Sequence, residues 1–283
     1  MSLGKRMFKG LVWTGVEHIS EDIISFIIGI ILARILTPEE YGIVGILVVF
    51  LSFFSVFIDS GFDDALVQKI DRNEDDKSTV FLFNIAIAIV SYTILFFVAP
   101  FIADFYEITE LKELLRVLAL ILVINSFAAV HEVLLSIDLD FKTLSKINLT
   151  SRIIAGAIAI WMAYDGYGVW ALAALQIVDA IIGTILTWIY SHWLPNLHFS
   201  IVSLRKMFKY GSNLLISELL DQLVHQVSTL FIAKYMSPKD LGHYSRGTQM
   251  ASTASGSLGS MLGTVIFPGL VEVQENHDLL VKY

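Results

Sequence analysis

Apolar residues in this chain come in long runs separated by short polar segments. About 20 helical residues, rising ~1.5 Å each, cross the roughly 30 Å hydrocarbon core of a bilayer, and the runs are matched against that length. The clearest is Val80 to Ala103, which carries no charge. Comparable runs follow at Tyr41 to Ile58, Val117 to Ile137, Ile147 to Tyr164, Val169 to Trp193 and Leu241 to Phe267. Leu11 to Leu36 and Gly211 to Met236 are as long but polar in their first halves. The pattern predicts an all-α, polytopic membrane protein with about eight transmembrane helices. Its longest connections fall near 62–79 and 192–210, too short for an extramembrane domain with its own active site, so function is expected among the helices.

Composition points the same way. With 55% hydrophobic and 16% charged residues and a mean hydropathy of +0.70, the chain has more apolar surface than a soluble interior of this size hides. A net charge of −8 argues against a nucleic-acid partner, which requires a concentrated basic surface. There is no cysteine, and the seven histidines lack ligand spacing, so no catalytic residue, metal site or cofactor is expected and the protein is not read as an enzyme. The basic start, Lys5, Arg6 and Lys9, is followed by Glu17, Glu21 and Asp22 without a small-residue cleavage site, so it is not read as a cleaved signal peptide. Most of the 19 lysines and arginines fall on one side if the N-terminus is cytoplasmic. The exceptions are Arg34, Lys112, Arg116, Lys234, Lys239 and Arg246.

An internal repeat appears at an offset of 200. Lys5-Arg6-Met7-Phe8-Lys9 returns as Arg205-Lys206-Met207-Phe208-Lys209, and Ala33-Arg34-Ile35-Leu36-Thr37-Pro38-Glu39-Glu40-Tyr41-Gly42 returns as Ala233-Lys234-Tyr235-Met236-Ser237-Pro238-Lys239-Asp240-Leu241-Gly242. An even number of helices between the copies makes the repeats parallel, as in transporters. Thr37 and Ser237 suit an N-cap, Pro38 and Pro238 the first helical position, and Glu40 and Asp240 the partner of a capping box. The organisation expected is a first six-helix bundle over 1–200 and the first two helices of a second, truncated bundle over 201–283.

Further motifs are Asp59-Ser60-Gly61-Phe62 with Ala65-Leu66-Val67-Gln68, Ala99-Pro100, Phe141-Lys142, Gly166-Tyr167-Gly168-Val169-Trp170-Ala171-Leu172 and Leu241-Gly242-His243-Tyr244-Ser245. In order and spacing, together with the repeated turn, they resemble the polysaccharide-exporting, O-antigen flippase branch of the multidrug/oligosaccharidyl-lipid/polysaccharide exporter superfamily over essentially the whole length. The resemblance implies two six-helix bundles around a V-shaped cavity and alternating access. It also implies outward movement of an undecaprenyl-diphosphate-linked oligosaccharide across a bacterial plasma membrane. Partners would be the lipid-linked oligosaccharide, membrane lipids, a polysaccharide polymerase and a chain-length regulator. The second bundle is incomplete here, a departure from the family pattern.

Charges within hydrocarbon cost about 2.5–3.5 kcal/mol each on insertion scales, so those retained in helices are candidates for function. His18, Glu21, Asp22, Ser25 and Gly29 share one face of the first helix. Glu218, Asp221, Gln222, His225 and Thr229 form a corresponding face in the seventh. Both faces suit a hydrated cleft in which acidic groups carry H+ or Na+, or a solvated interface. A diphosphate head calls for cations, and the candidates are Arg246, a turn or so inside the eighth helix, Arg34, Lys234 and Arg152. Arg34 and Lys234 equally suit anchoring at the outer headgroups, and Arg152 is the weaker candidate because it is placed at the start of a helix. Asp179 and the His131-Glu132 pair suit helix–helix hydrogen bonding, and Gly166 and Gly168 a sharp turn. A drug or cation exporter of the same superfamily, or a membrane-embedded polysaccharide polymerase, are the competing readings.

Overall fold

The computed structural model describes residues 3–59, 61–196 and 198–248. The described elements are helices: α1 (Leu3–Ile35), α2 (Pro38–Asp59), α3 (Phe62–Gln68), α4 (Glu74–Tyr106), α5 (Glu110–Leu118), α6 (Leu120–Ser126), α7 (Ala129–Ile137), α8 (Phe141–Tyr164), α9 (Val169–Ser191) and α10 (Ile201–Tyr235). An eleventh, α11, is described over 238–248. The protein is a polytopic helical membrane protein. Four helices, α2, α4, α8 and α9, are long and apolar enough to cross a membrane, and α5–α6 with α7 form a bent pair that makes a fifth. Helices α1 and α10, at 33 and 35 residues, exceed the length of a span but carry the polar first halves noted above. Most of the expected eighth run lies outside the described residues.

Helix ends follow local chemistry. Helix α4 opens on a capping box in which the Asn73 side chain accepts from the Asp76 amide at 2.8 Å and the Asp76 carboxylate from the Asn73 amide at 2.9 Å. Gly166 and Gly168, at φ 86° and 57°, make the sharp turn between α8 and α9 that L side chains disfavour. Helix α8 brings Ala155, Ala159 and Ala163 to a buried stripe, and Gly156 lies under Ile28 of α1, where a Cβ would approach the Ile28 Cδ1 to 2.2 Å. Small residues here allow α1 and α8 to pack closely without a hydrophobic driving force between them.

Two boundaries differ from the sequence reading. The run Val117 to Ile137 is not one straight helix: α5–α6 and α7 meet at a 40° bend. The carbonyls of Ile124 and Phe127 at this break accept from Thr184 Oγ1 at 3.2 Å and Trp188 Nε1 at 2.8 Å, both on α9. A break in an apolar medium persists only where other groups satisfy the backbone in this way. Helix α8 begins at Phe141, capped by Asp140, six residues before Ile147, which moves Arg152 from a helix start to mid-helix.

The repeated turns pack on each other. In the first, the Glu40 carboxylate accepts from the Thr37 amide at 2.6 Å; in the second, the Asp240 carboxylate accepts from the Ser237 amide at 3.2 Å. A Cβ on Gly42 would stand 1.9 Å from the Pro238 carbonyl oxygen, and one on Gly242 2.0 Å from that of Pro38. The contact is therefore reciprocal, each glycine receiving the other turn's backbone. Gly45 faces Ser245 in the same register, with the Ser245 Oγ 2.7 Å from a built Cβ.

Backbone atoms cannot yield to a methyl group as a flexible side chain can, and overpacking of this kind costs about 1–3 kcal/mol. Gly42→Ala and Gly242→Ala are each expected to lower the thermal unfolding midpoint of the detergent-solubilised chain by several degrees. Gly247→Ala, which meets nothing within 4 Å, is expected to leave it unchanged or raise it.

Candidate functional site

Polar residues that interrupt the apolar helices converge on two neighbouring cavities. The larger, of about 1010 Å³, lies between α1, α2, α8, α9, α10 and α11. Apolar side chains including Phe26, Ile28, Val44, Val48, Leu172 and Leu175 form much of its wall, and Asp22, Arg152 and Arg246 bring the charge. The smaller, of about 610 Å³, is an open pocket lined by α1, α3, α6, α7, α8 and α9, and its wall is mainly polar. Arg152 and Gln176 line both.

Arg246 lies a little over two turns into α11. Its Nη2 donates to the Gly29 carbonyl of α1 at 2.7 Å, and its guanidinium sits 4.1 Å from the centre of the Tyr41 ring of α2. A Cβ built at position 29 stands 3.7 Å from Nη2, in ordinary van der Waals contact, so only a side chain longer than that of alanine would press on the guanidinium. The Arg246 Nη1 and the Tyr41 hydroxyl are buried without a protein hydrogen-bond partner. Two adjacent donors are thus left over on the wall of a cavity large enough for a ligand.

Arg152 spans two carboxylates on different helices, with Nη2 3.3 Å from Glu21 Oε1 of α1 and Nη1 3.2 Å from Asp179 Oδ2 of α9. Its Nε and the Asp179 Oδ1 have no protein partner. The two ion pairs join three helices through one guanidinium, so the triad ties α1, α8 and α9 together. The Asp179 role expected from the sequence, helix–helix bonding, is met by this ion pair. Glu132 and Asp63 line the smaller cavity, and Asp63 accepts from the buried Asn84 amide at 3.0 Å.

Not every candidate reaches a cavity. Arg34 is exposed near the end of α1. Lys234, also exposed, donates to the Phe105 carbonyl at 2.7 Å and lies 4.1 Å from that ring's centre. Neither lines the two cavities. On α10, Gln226 and Thr229 face the larger cavity, whereas Glu218 and Asp221 line neither and have other partners. The side chains of His18 and His225 lie outside the described residues.

Tyr41, Asn125, Asn148 and Gln176 escaped the sequence reading as site residues. Gln176, Asp179 and Gly183 recur along one face of an otherwise apolar helix, as do Asn148, Ser151 and Arg152. That spacing was the available signal. Asn125, one turn after Ile121 on α6, is a single polar residue in an apolar run and gave no such spacing.

The profile of the family described as polysaccharide biosynthesis protein matches residues 31–283. The teichuronic acid biosynthesis protein TuaB of Bacillus subtilis is 28% identical over 272 residues, covering 94% of this chain and 56% of its own length. The succinoglycan biosynthesis transport protein ExoT of Rhizobium meliloti is 25% identical over 97% of this chain and 56% of its own. The lipopolysaccharide biosynthesis protein WzxC of Escherichia coli is 22% identical over 99% and 57%. The chain thus spans a little over half the length of these relatives. No solved structure matches it. Residues 31–283 include both copies of the repeated turn, and on that match the chain belongs to the polysaccharide biosynthesis protein family.

Proposed function

We propose that this chain supplies the first bundle, and the opening helices of the second, of a flippase. It would move a polyprenyl-diphosphate-linked oligosaccharide outward across a bacterial plasma membrane by alternating access, with its N-terminus in the cytoplasm. The observation that carries the reading is the Arg246–Tyr41 pair. A cation with an unpartnered donor lies on a cavity of about 1010 Å³, beside the contact between the two repeat copies. A diphosphate asks for such a guanidinium, whose planar fork matches its oxygens. The neighbouring apolar walls suit a lipid tail. In this reading Arg152 is a second cation facing the same space, and Arg34 and Lys234 meet phosphate at the helix ends.

The reciprocal turn contact supports alternating access. It closes one end of the interface between the copies by close packing of the two turns, with Leu241 buried against the residues of α2. Coupling to H+ or Na+ falls to the acidic residues of α1, Glu21 and Asp22, and to Glu218 and Asp221 of α10. The names of the relatives as transport or biosynthesis proteins favour this reading over a drug exporter. In the cell, the polysaccharide polymerase and chain-length regulator of the same system are the expected partners.

Export of lipid-linked oligosaccharide in a bacterium lacking its own flippase tests the proposal. The chain continued through a second bundle is expected to restore export, and no restoration with correct insertion overturns the reading. In that longer protein Arg246→Ala is expected to reduce polymer output more than tenfold, about 1.4 kcal/mol or more, with insertion unchanged, and Arg246→Lys to recover only part of it. Unchanged output from Arg246→Ala would remove the diphosphate assignment. Glu21→Gln and Asp221→Asn are expected to shift the pH or Na+ dependence of export, and an unaltered profile would return both to solvated structural roles.

A further inference from the structure

We propose that the connection between α9 and α10 is a fixed pivot. It holds the start of α10 on the first bundle throughout export, and α10 tilts about it so that the two repeated turns part at its far end. The inference rests on the flippase reading and adds the place about which the two units move.

The pivot begins with the spacing of four residues. Glu74, Asp75, Ser78 and Thr79 share one side of the first two turns of α4, and each meets the connection. Glu74 accepts from Trp193 Nε1 at 2.8 Å, the Asp75 carboxylate lies 3.0 Å from His198 Nδ1, and Thr79 Oγ1 accepts from the Ser200 amide at 3.0 Å. The Ser78 hydroxyl donates to the Asn196 side chain and accepts from the Asn196 amide at 3.3 Å.

The helix that follows is held as well. Ser200 caps α10, its side chain accepting from the Ser203 amide at 3.2 Å. Met207 is buried in an apolar cluster with Phe62, Leu66, Val80, Phe81 and Val130 of the first bundle, and Trp193 and Leu204 pack against the same cluster. Pulling the connection away would bare these apolar groups together and strip partners from Ser78 and Thr79, which are fully buried. Both changes are unfavourable, so the attachment outlasts a rearrangement elsewhere.

The far end is tied less firmly. Lys234 donates there to the Phe105 carbonyl at 2.7 Å, an exposed bond that water can replace. Helix α10 has 35 residues. At ~1.5 Å each its ends are about 50 Å apart, and a tilt of roughly 10° carries the far end about 9 Å. The second repeated turn follows that end directly, so a small adjustment at the pivot separates it from the first.

The chain has no cysteine, so introduced pairs can be joined selectively. The test uses the chain continued through a second bundle, free of other cysteines, and reads export in a bacterium lacking its own flippase. Asp75→Cys and His198→Cys replace solvent-accessible side chains. Bridging them with a short bifunctional thiol reagent is expected to leave export within about twofold of the unbridged protein. A Cβ built on Gly45 stands 3.6 Å from the Ser245 Cβ, within the roughly 3.5–4.5 Å of a disulfide. Oxidation of Gly45→Cys with Ser245→Cys is expected to lower export at least about tenfold, and reductant to restore it. Loss of export on bridging 75 to 198, or unchanged export with 45 joined to 245, overturns the pivot. If the Gly45→Cys, Ser245→Cys pair does not insert, spin labels at Glu39→Cys and Lys239→Cys, and separately at Asp75→Cys and His198→Cys, take its place. Added polyprenyl-diphosphate-linked oligosaccharide is then expected to change the first distance and leave the second, and any other result overturns the pivot. Export lost only on bridging 75 to 198 leaves the flippase reading standing. Absence of export from the unbridged protein overturns that reading, and the pivot with it.

Discussion

The contact on which the candidate site depends is backbone against backbone, between the turns that open α2 and α11. Gly42 and Gly242 lack the atom that would keep the Pro238 and Pro38 carbonyls away, so the two helix starts meet at closest approach. That approach fixes α11 beside α2 and α1, and so places Arg246 over the Tyr41 ring and against the Gly29 carbonyl. A side chain at either glycine would move this whole edge of the larger cavity. Packing of small residues serves here because apolar side chains gain nothing by leaving lipid for one another.

Charge inside the helices is managed in two ways. Arg152 is committed between Glu21 and Asp179 and holds three helices in register. Arg246 is held by a carbonyl and a ring face, with one nitrogen left unpartnered. A neutral carbonyl and an aromatic face satisfy a guanidinium less fully than two carboxylates do, so Arg246 retains more capacity for an incoming anion. The difference in partners leaves the first arginine more fully paired than the second.

The bend between α6 and α7 shows how an apolar fold accommodates an interruption. Thr184 and Trp188 of α9 donate to the carbonyls of Ile124 and Phe127 at the break, and Asn125, just before it on α6, lines the smaller cavity. Outward, α4 carries Val90, Ile94, Phe97 and Phe101 exposed on one face, as a helix against lipid does.

Sequence by itself determined the solvent, the helical class, the repeated turn with its capping residues and the polar face of α1, because each is written in periodicity, in spacing or in local backbone chemistry. Glu21, Asp22, Arg152 and Arg246 could be named as charges that an apolar helix does not keep without cause. Which of them pair was decided only by tertiary structure. Glu21 and Arg152 are 131 positions apart, and Arg246 and Gly29 are 217 apart. Helix rotation, the earlier start of α8 and the break before α7 set those meetings. They also kept Glu218 and Asp221 away from both cavities despite a shared periodicity with residues that reach one. Local pattern fixes which face of a helix is polar; only the packing of the neighbouring helices fixes what that face meets.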